Sequence, residues 1–223
     1  GFREDGYETK AFVNFLALLG WNPGTEQEIF AMSDLIEAFS LERINKAGAR
    51  FDIEKAKWFN QEYLKSISSE KMAKELQKIL LNNGISDFPD KTAIKICAAM
   101  KGRITFVADI WRDSHFFFQK PNDYDDKIVN KKWTIEAERV LAAFSERLKL
   151  DNEWVKETPK QLLEDILQQE GIKMGRVMQP LRLSLTGSGA GPDLMDIIDI
   201  LGRNEVSERI DQAIRMLHDK VKD

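Results

Sequence analysis

The sequence predicts an all-α protein. Its apolar residues recur three or four positions apart in nearly every segment, which is the period of an amphipathic helix. The apolar–polar alternation that marks half-buried strands is almost absent. Glycine-containing and polar breaks divide the chain, but no segment repeats at a fixed length, which argues against a solenoid of a known repeat type. We therefore expect helical bundles and no sheet.

Length and composition limit the class of protein further. A chain of 223 residues makes one large domain or two small ones, and it has no initiator Met, so we expect part of a longer protein. No run approaches the roughly 18 apolar residues of a membrane span, and the polar, acidic first ten residues do not form a signal peptide. We expect no membrane association and, because Cys97 is the one cysteine, a reducing, cytoplasmic location. Two histidines and one cysteine are few zinc ligands, so no metal site is predicted.

Helices account for the first third of the chain. They are predicted at residues 8–19, 33–37, 40–44 and 52–64. Gly20 can end the first of these helices. Ser33 is placed to cap the helix at 33–37 and Asp52 to cap the helix at 52–64, since each side chain can accept a hydrogen bond from the first turn. The polar break at residues 66–69 is the first expected boundary.

The middle of the chain continues the helical pattern. Its predicted helices lie at residues 70–82, 91–100, 105–111 and 135–148. Residues 116–118 are three phenylalanines, which we assign to core packing rather than to base stacking, because no basic residues are interleaved with them. Residues 121–126 are interpreted as a polar linker, and Cys97 as a small buried hydrophobe.

The last part of the chain is predicted as four helices with one unusual junction. They lie at residues 158–170, 174–186, 193–201 and 207–220. Thr158 and Pro159 suit the start of the first of them, as cap and first helical residue. Pro180 is expected to kink the second.

The unusual junction is the glycine-rich turn at residues 186–191. The stretch between Gly171 and Ala190 carries Lys173, Arg176 and Arg182 and no acidic residue. A basic helix, a glycine turn and a new helix start could present main-chain N–H groups to an anion or to RNA. The alternative is an ordinary helix C-cap followed by a turn. A dinucleotide site or a P-loop is excluded, since no strand precedes the glycines.

Few residues of the sequence suggest catalytic chemistry. Asp196 and Asp199 could meet on one helix face, but a general acid–base pair also needs a pocket and shifted pKa values, which no sequence pattern indicates. His115 lies beside aromatic residues and is interpreted as a packed histidine. We therefore predict no catalytic residue in this chain.

Several motifs in one order resemble the bacterial glutamyl-tRNA synthetases. Residues 12–24 (FVNFLALLGWNPG), 39–43 (FSLER) and 51–60 (FDIEKAKWFN) resemble the region that follows their nucleotide-binding domain. Residues 179–187 (QPLRLSLTG) and 191–194 (GPDL) resemble the hallmark of their anticodon-binding domain. The matches span almost the whole chain, which makes them far more specific than any single motif.

The resemblance implies a domain organisation and a function. It implies a helical stem-contact region at residues 1–68, and then an anticodon-binding domain in two helical bundles, at residues 69–155 and 156–223. Neither ATP-binding signature of these class I enzymes occurs here. ATP and Mg²⁺ would thus belong to a separate catalytic domain, and this chain would hold no cofactor and be inactive alone. The glutaminyl relatives read the anticodon with β-barrels, which the helical pattern disfavours.

The resemblance also implies site residues. The anticodon-binding residues would be Arg103, Arg182, Gly191, Pro192 and Leu194. Arg103 falls where the family places an arginine against the third anticodon base, and a guanidinium suits this role because it is a planar donor that can pair with base edges. The residues 189–191 depart from the bulkier turn of relatives, so position 191 would offer only its backbone.

The stem contacts and the partner follow in the same way. Possible tRNA stem contacts are Lys46, Arg50 and Lys57. The expected partner of this monomer is tRNA(Glu) and not DNA. Arginines at helix ends also commonly cap carbonyl groups or form ion pairs, which remains the alternative for both Arg103 and Arg182. The rival function is a helical scaffold with exposed apolar docking faces. A catalytic domain would instead need a deep pocket with several ionisable groups.

Overall fold

A computed structural model describes residues 1–46, 48–150 and 158–220 of the chain. Within these residues the regular structure is helical, with no sheet and one isolated antiparallel bridge between Trp21 and Ile44. The predicted all-α class is confirmed. The chain divides into two compact units, Gly1–Asp113 and Ser114–Asp223.

The first unit contains six α-helices and one 3-10 turn among its described residues. The helices are α1 (Thr9–Gly20), α2 (Met32–Ala38), α3 (Ile53–Ser66), α4 (Ser69–Asn82), α5 (Asp90–Met100) and α6 (Ala108–Asp113), and the 3-10 turn is Leu41–Arg43. Asp52 caps α3 as predicted, accepting from the N–H groups of Glu54 and Lys55 at 3.0 and 3.1 Å. The predicted cap at Ser33 is wrong, because α2 begins one residue earlier, at Met32, after the extended residue Ala31.

Two packed pairs of helices make the interior of this unit. Helix α1 packs on α3, and α4 packs on α5. Between α1 and α3 the side chain of Asn60 accepts from the N–H of Glu8 at 2.7 Å. The Tyr63 hydroxyl donates to the Phe30 carbonyl at 2.6 Å. These bonds satisfy polar groups that the burial of an apolar cluster would otherwise strand.

The second unit contains five α-helices in the part of the chain that the structure describes. They are α7 (Asp126–Lys132), α8 (Ile135–Leu150), α9 (Thr158–Glu170), α10 (Met178–Thr186) and α11 (Leu194–Leu217), with 3-10 turns at His115–Phe117, Met174–Arg176 and His218–Lys220. Helix α8 packs on α9 and α11, and α10 packs on α7 and α11.

Arg209 is the main polar group in the core of the second unit. It is 2% exposed, and its Nη1 donates to the carbonyls of Phe116 and Leu185, each at 2.7 Å. Its Nε donates to Glu205 at 2.8 Å. Burial lowers the pKa of this guanidinium, and Glu205 opposes that effect. The arginine therefore fixes the end of α10 relative to the Phe116 segment.

Several sequence predictions are wrong in detail. No helix is predicted where α7 lies, and the helix predicted at 105–111 is instead α6, at Ala108–Asp113. Pro180 does not kink a helix, because a 3-10 turn precedes α10 and puts Pro180 in the first turn, where a missing N–H costs no helical hydrogen bond. The two last predicted helices form one run, α11, interrupted at Gly202 with φ 75°.

Packing and the predicted domain organisation do not divide the chain at the same places. The predicted boundary at 68/69 falls between α3 and α4, inside the first compact unit. The predicted boundary at 155/156 falls within residues 151–157, outside the described residues. The three-part division by function remains a prediction.

Candidate nucleic-acid interface

The glycine-rich turn at residues 186–191 is held together by its own hydrogen bonds. Gly187 ends α10 with φ 75°, and its N–H donates to the Leu183 carbonyl at 2.8 Å. The Thr186 hydroxyl donates to the carbonyls of Arg182 and Ser188, both at 2.9 Å. This is the left-handed C-cap that sequence analysis offers as the ordinary interpretation of the glycines.

Several of the N–H groups that an anion could use are already bonded. Within the turn, Ser188 N–H donates to the Thr186 hydroxyl at 3.1 Å, and Ala190 N–H donates to the Ser188 hydroxyl at 3.4 Å. At the start of α11 the Asp193 carboxylate accepts two N–H groups of the first turn, at 2.8 and 3.3 Å. A carboxylate at that position satisfies the helix N-terminus and repels a phosphate. The geometry therefore favours the C-cap and turn over an anion site.

Arg182 braces this turn. Its side chain is half-buried, and Nη1 donates to the Pro192 carbonyl at 2.7 Å. Gly191 has φ 145°, and a Cβ at that position would lie 3.1 Å from the same Nη1. Glycine at position 191 therefore leaves the space through which the guanidinium reaches Pro192.

The other two predicted turn residues lie inside the unit. Leu194 is 2% exposed, and Pro192 is also buried. Their side chains are therefore not accessible to a ligand. The surface that the turn offers to a ligand is thus the backbone and small side chains of residues 189–191, which are exposed or half-buried.

Helix α7 supports the turn from the other side and adds basic residues that sequence analysis missed. The N–H of Asp125 donates to the Gly187 carbonyl at 2.9 Å, and the Ile128 side chain lies against Gly189. The exposed lysine side chains of this helix have no hydrogen-bond or ion-pair partner among the described residues; they are those of Lys127, Lys131 and Lys132. Asp125 as the N-cap was the signal that could have located the helix, since it accepts from the Lys127 N–H at 2.8 Å.

Arg103 is presented differently, in the first unit. It lies in the turn after α5, where its main-chain N–H donates to the Met100 carbonyl at 2.8 Å. Its side chain is exposed and has no hydrogen bond or ion pair within residues 1–46, 48–150 and 158–220. Because the main chain rather than the side chain bonds the end of the helix, all the donors of this guanidinium remain available to a ligand.

The three predicted stem contacts are not equivalent. Lys46 and Arg50 are exposed and have no partner in the described part of the chain; residue 47 between them lies outside it. Lys57 is half-buried and bonded to Glu54 at 2.8 Å. The hydrogen bond and charge of Glu54 raise the pKa of Lys57. Its charge is therefore partly neutralised inside the chain, which weakens it as a phosphate contact.

A cleft of about 500 Å³ lies in the first unit. Its described walls contain no His, Cys or Ser, but they do contain ionisable side chains, among them Glu8, Lys71 and Glu75. Burial raises the pKa of the Cys97 thiol to about 12. No group of three or more potential metal ligands occurs among the described residues.

In that same part of the chain no helix is both long and apolar enough to cross a bilayer.

Comparison with known families assigns the larger part of the chain. The family model for the "Anticodon binding domain" matches residues 53–214. The chain belongs to this anticodon-binding domain family. A second family model, "tRNA synthetases class I (E and Q), catalytic domain", matches residues 1–58.

Individual relatives of the chain agree with this assignment. It is similar to the glutamate–tRNA ligase of Cytophaga hutchinsonii, at 43% identity over 222 residues, covering 99% of this chain and 43% of the relative. The ligase of Porphyromonas gingivalis is 38% identical, with 97% and 43% covered. A crystal structure of a glutamate tRNA ligase from Elizabethkingia meningosepticum in complex with its amino acid has a TM-score of 0.90 and 41% identity, with 97% and 43% covered.

These matches confirm the resemblance to glutamyl-tRNA synthetases. The chain spans less than half the length of the curated relatives that it matches. The roles of the individual arginines, lysines and turn residues remain predictions.

Proposed function

We propose that this chain is the tRNA-binding part of a glutamate–tRNA ligase. It recognises the anticodon and inner stem of tRNA(Glu), so that a separate catalytic domain can attach glutamate in an ATP-dependent reaction. The observation that carries the proposal is the match of residues 53–214 to the anticodon-binding family. ATP and Mg²⁺ bind to the catalytic domain, and this chain alone does not charge tRNA. It works as a monomer in the cytoplasm, and its partner is tRNA, not DNA.

Arg103 is the proposed base reader. Its exposed guanidinium has donors that no other described group uses, and a planar fork of donors can bond a base edge or stack on a splayed base. A base contact of this kind contributes about 1–3 kcal/mol and depends on the base. Discrimination between tRNAs therefore rests on Arg103.

The glycine-rich turn has the complementary role of a rigid surface. Arg182 holds Pro192 in place and Leu194 anchors the start of α11, while the backbone at Gly191 approaches the anticodon. A small, pre-bonded turn loses little conformational entropy on binding, and its lack of side chains allows close approach. Lys127 and Lys131, on the helix that supports the turn, contact the phosphates beside it.

The stem contacts are electrostatic. Lys46 and Arg50 bind phosphates in our proposal, and Lys57 contributes less because Glu54 already pairs with it. Removing the charge from one phosphate-binding residue should reduce the slope of log K against log salt by about 0.7–0.9, without changing the preference between tRNAs.

The experiment is binding of the chain to tRNA(Glu) and tRNA(Gln) transcripts across a salt series, with Arg103→Gln beside it. We expect the chain to bind tRNA(Glu) more tightly than tRNA(Gln). Arg103→Gln should reduce the affinity for tRNA(Glu) by about tenfold or more, which reduces the preference for tRNA(Glu) over tRNA(Gln). Arg112→Gln is the matched control. Arg112 is an equally long, exposed side chain of the same unit, but it is paired with Asp109 and Asp113.

Two results would count against the proposal. If Arg103→Gln and Arg112→Gln change affinity equally, Arg103 reads no base. If the chain binds tRNA no better than an unrelated acidic protein does at low salt, the tRNA-binding function itself is refuted for this chain.

A further inference from the structure

The cleft of about 500 Å³ in the first unit is bordered by an excess of basic side chains. Its described walls combine the segment at residues 3–9 with the end of α3 and one face of α4. Four of the lining residues are basic and two are acidic; they are Arg3, Lys71, Lys74 and Lys78, and Glu8 and Glu75. This positive charge is local, because the chain as a whole has a net charge of −4.

The three lysines of the cleft form one row along α4. Their positions, 71, 74 and 78, are three and four residues apart, which places them on the same face of the helix. All three side chains are exposed. Like charges at this spacing repel each other, so the row destabilises the helix unless another charge neutralises it. The row extends about 10 Å along the helix axis, at roughly 1.5 Å per residue.

One of these lysines is neutralised within the chain. Lys71 forms an ion pair with Glu8, across the cleft, at 3.0 Å. The side chains of Lys74, Lys78 and Arg3 form no hydrogen bond or ion pair in the part of the chain that the structure describes. Three cations from two different segments therefore border the same space with their donors unused.

Glu75 is the second acidic group of the cleft, and it does not neutralise the row. It forms no ion pair with Lys71 or Lys78 among the described residues, although it lies between them on α4. Burial of its carboxyl group and the charge of Glu8 raise the pKa of Glu75, whereas a close ion pair with a lysine would lower it. The row is therefore left to attract negative charge from a ligand.

The walls of the cleft suit phosphate groups and not a base. Lysine and arginine side chains are common phosphate ligands in proteins. The one aromatic side chain among the described lining residues is Tyr7, which is 8% exposed and packs edge-on against Phe106. It offers no free ring face on which a base could stack. A row of about 10 Å has the length of two or three linked phosphates, which lie roughly 3.4 Å apart along the axis of one nucleic-acid strand.

We propose that Arg3, Lys74 and Lys78 bind a chain of two or three linked phosphate groups in this cleft. Such a chain occurs as successive phosphodiesters of RNA and as a free oligophosphate. None of the residues to which we assign tRNA contacts above lines the described walls of the cleft, so the site is an additional one. The inference rests on the proposed function only if tRNA supplies the phosphates.

Titration with sodium tripolyphosphate tests the site without tRNA. Binding is measured by calorimetry at low salt and at about pH 8, where glutamate side chains are ionised. The test variant combines Lys74→Gln with Lys78→Gln. The matched control combines Lys10→Gln with Lys91→Gln, two exposed lysines of the same unit that do not line the described walls of the cleft. Both variants lose two charges, and glutamine has nearly the helix propensity of lysine, so both should fold.

We expect the cleft variant to weaken tripolyphosphate binding by about fivefold or more and the control to change it by less than about twofold, because only the first loses two charge contacts. Glu75→Gln removes a repelling charge and should strengthen binding by about twofold, whereas Glu37→Gln, at an exposed position on α2, should not. Absence of tripolyphosphate binding overturns the proposal. Equal effects of the two lysine variants, or unchanged or weaker binding by Glu75→Gln, overturn it as well, since the attraction would then be diffuse.

Competition with tRNA(Glu) identifies the source of the phosphates. If tRNA(Glu) displaces tripolyphosphate, and the cleft variant lowers the slope of log K against log salt for tRNA(Glu) by about 1.5, the phosphates are those of the RNA backbone. If tripolyphosphate binds equally well with and without tRNA(Glu), the ligand is a free oligophosphate. Both results support the site. The titration needs no tRNA, so its failure is distinguishable from a failure of the proposed tRNA-binding function.

Discussion

Replacing Gly187 by alanine tests whether the glycine-rich turn is as tightly built as the geometry indicates. The residue has φ 75°, in the region that L side chains avoid. An alanine Cβ would lie 2.6 Å from the Asp123 carbonyl oxygen and 3.0 Å from Cβ of Pro121. The first of these contacts is to main chain, which cannot swing aside as a side chain does.

The two costs can be separated with a matched glycine. Gly171, after α9, has φ 66°, but a Cβ there would meet nothing within 4 Å. Gly171→Ala therefore carries only the left-handed backbone cost of about 1–2 kcal/mol. Gly187→Ala carries that cost plus the displacement of neighbouring backbone, and forced overpacking of this kind costs about 1–3 kcal/mol more. The expected total for Gly187→Ala is about 2–5 kcal/mol.

Urea unfolding followed by far-ultraviolet circular dichroism measures both variants. We expect the free energy of unfolding to fall further for Gly187→Ala than for Gly171→Ala. Equal losses, within about 0.5 kcal/mol, would mean that the approach of Asp123 to the turn does not constrain it. The argument that the turn is a rigid surface would then lose its physical basis.

Three further outcomes follow from buried and paired groups. Arg209→Met removes the donor for two buried carbonyls and for Glu205, and should lower the free energy of unfolding in urea by about 3–5 kcal/mol. Cys97 should react with a disulfide reagent at about pH 8 only after unfolding, because burial raises its pKa to about 12. The hydrogen bond that His218 makes to the Glu138 carboxylate raises the pKa of His218. Its stabilisation is therefore complete below the unfolded pKa of about 6.5 and is lost as pH rises through the higher folded value. His218→Gln should flatten the pH dependence of Tm in that range.

Periodicity was sufficient for the long helices and insufficient for the short ones. Helix α3 begins at Ile53, after its predicted cap Asp52, because a strong apolar stripe and a local cap point to the same boundary. Helix α7 has seven residues and one buried side chain, Val129, so its apolar pattern is too short to stand out from a polar linker. It exists because it packs against α10 and the glycine-rich turn, which is tertiary information.

The sequence shows the residues of the glycine-rich turn, but it does not predict the hydrogen bonds that they form. A glycine cluster after a basic helix is compatible with an anion site or with a C-cap. Which of these two structures forms depends on the orientation of the hydroxyl groups of Thr186 and Ser188 and of the carboxylate of Asp193. Thr186, Ser188 and Asp193 all turn back onto the main chain, and they accept from the N–H groups of Ser188, Ala190 and Met195 that a phosphate could otherwise use. Residue type alone permits either orientation for each of them.

Arg103 and Arg182 were indistinguishable by sequence, since each is an arginine near a helix end in a family motif. The structure gives them different chemistry. Nη1 of Arg182 is committed to the Pro192 carbonyl, at 2.7 Å, and a hydrogen used there cannot also bond a base. Arg103 has no such commitment among the described residues. If both arginines lie near the anticodon, Arg103 is the one suited to discriminate between bases, because its side-chain donors are not used by other described residues. Arg182 would instead maintain the conformation of the glycine-rich turn through its bond to Pro192.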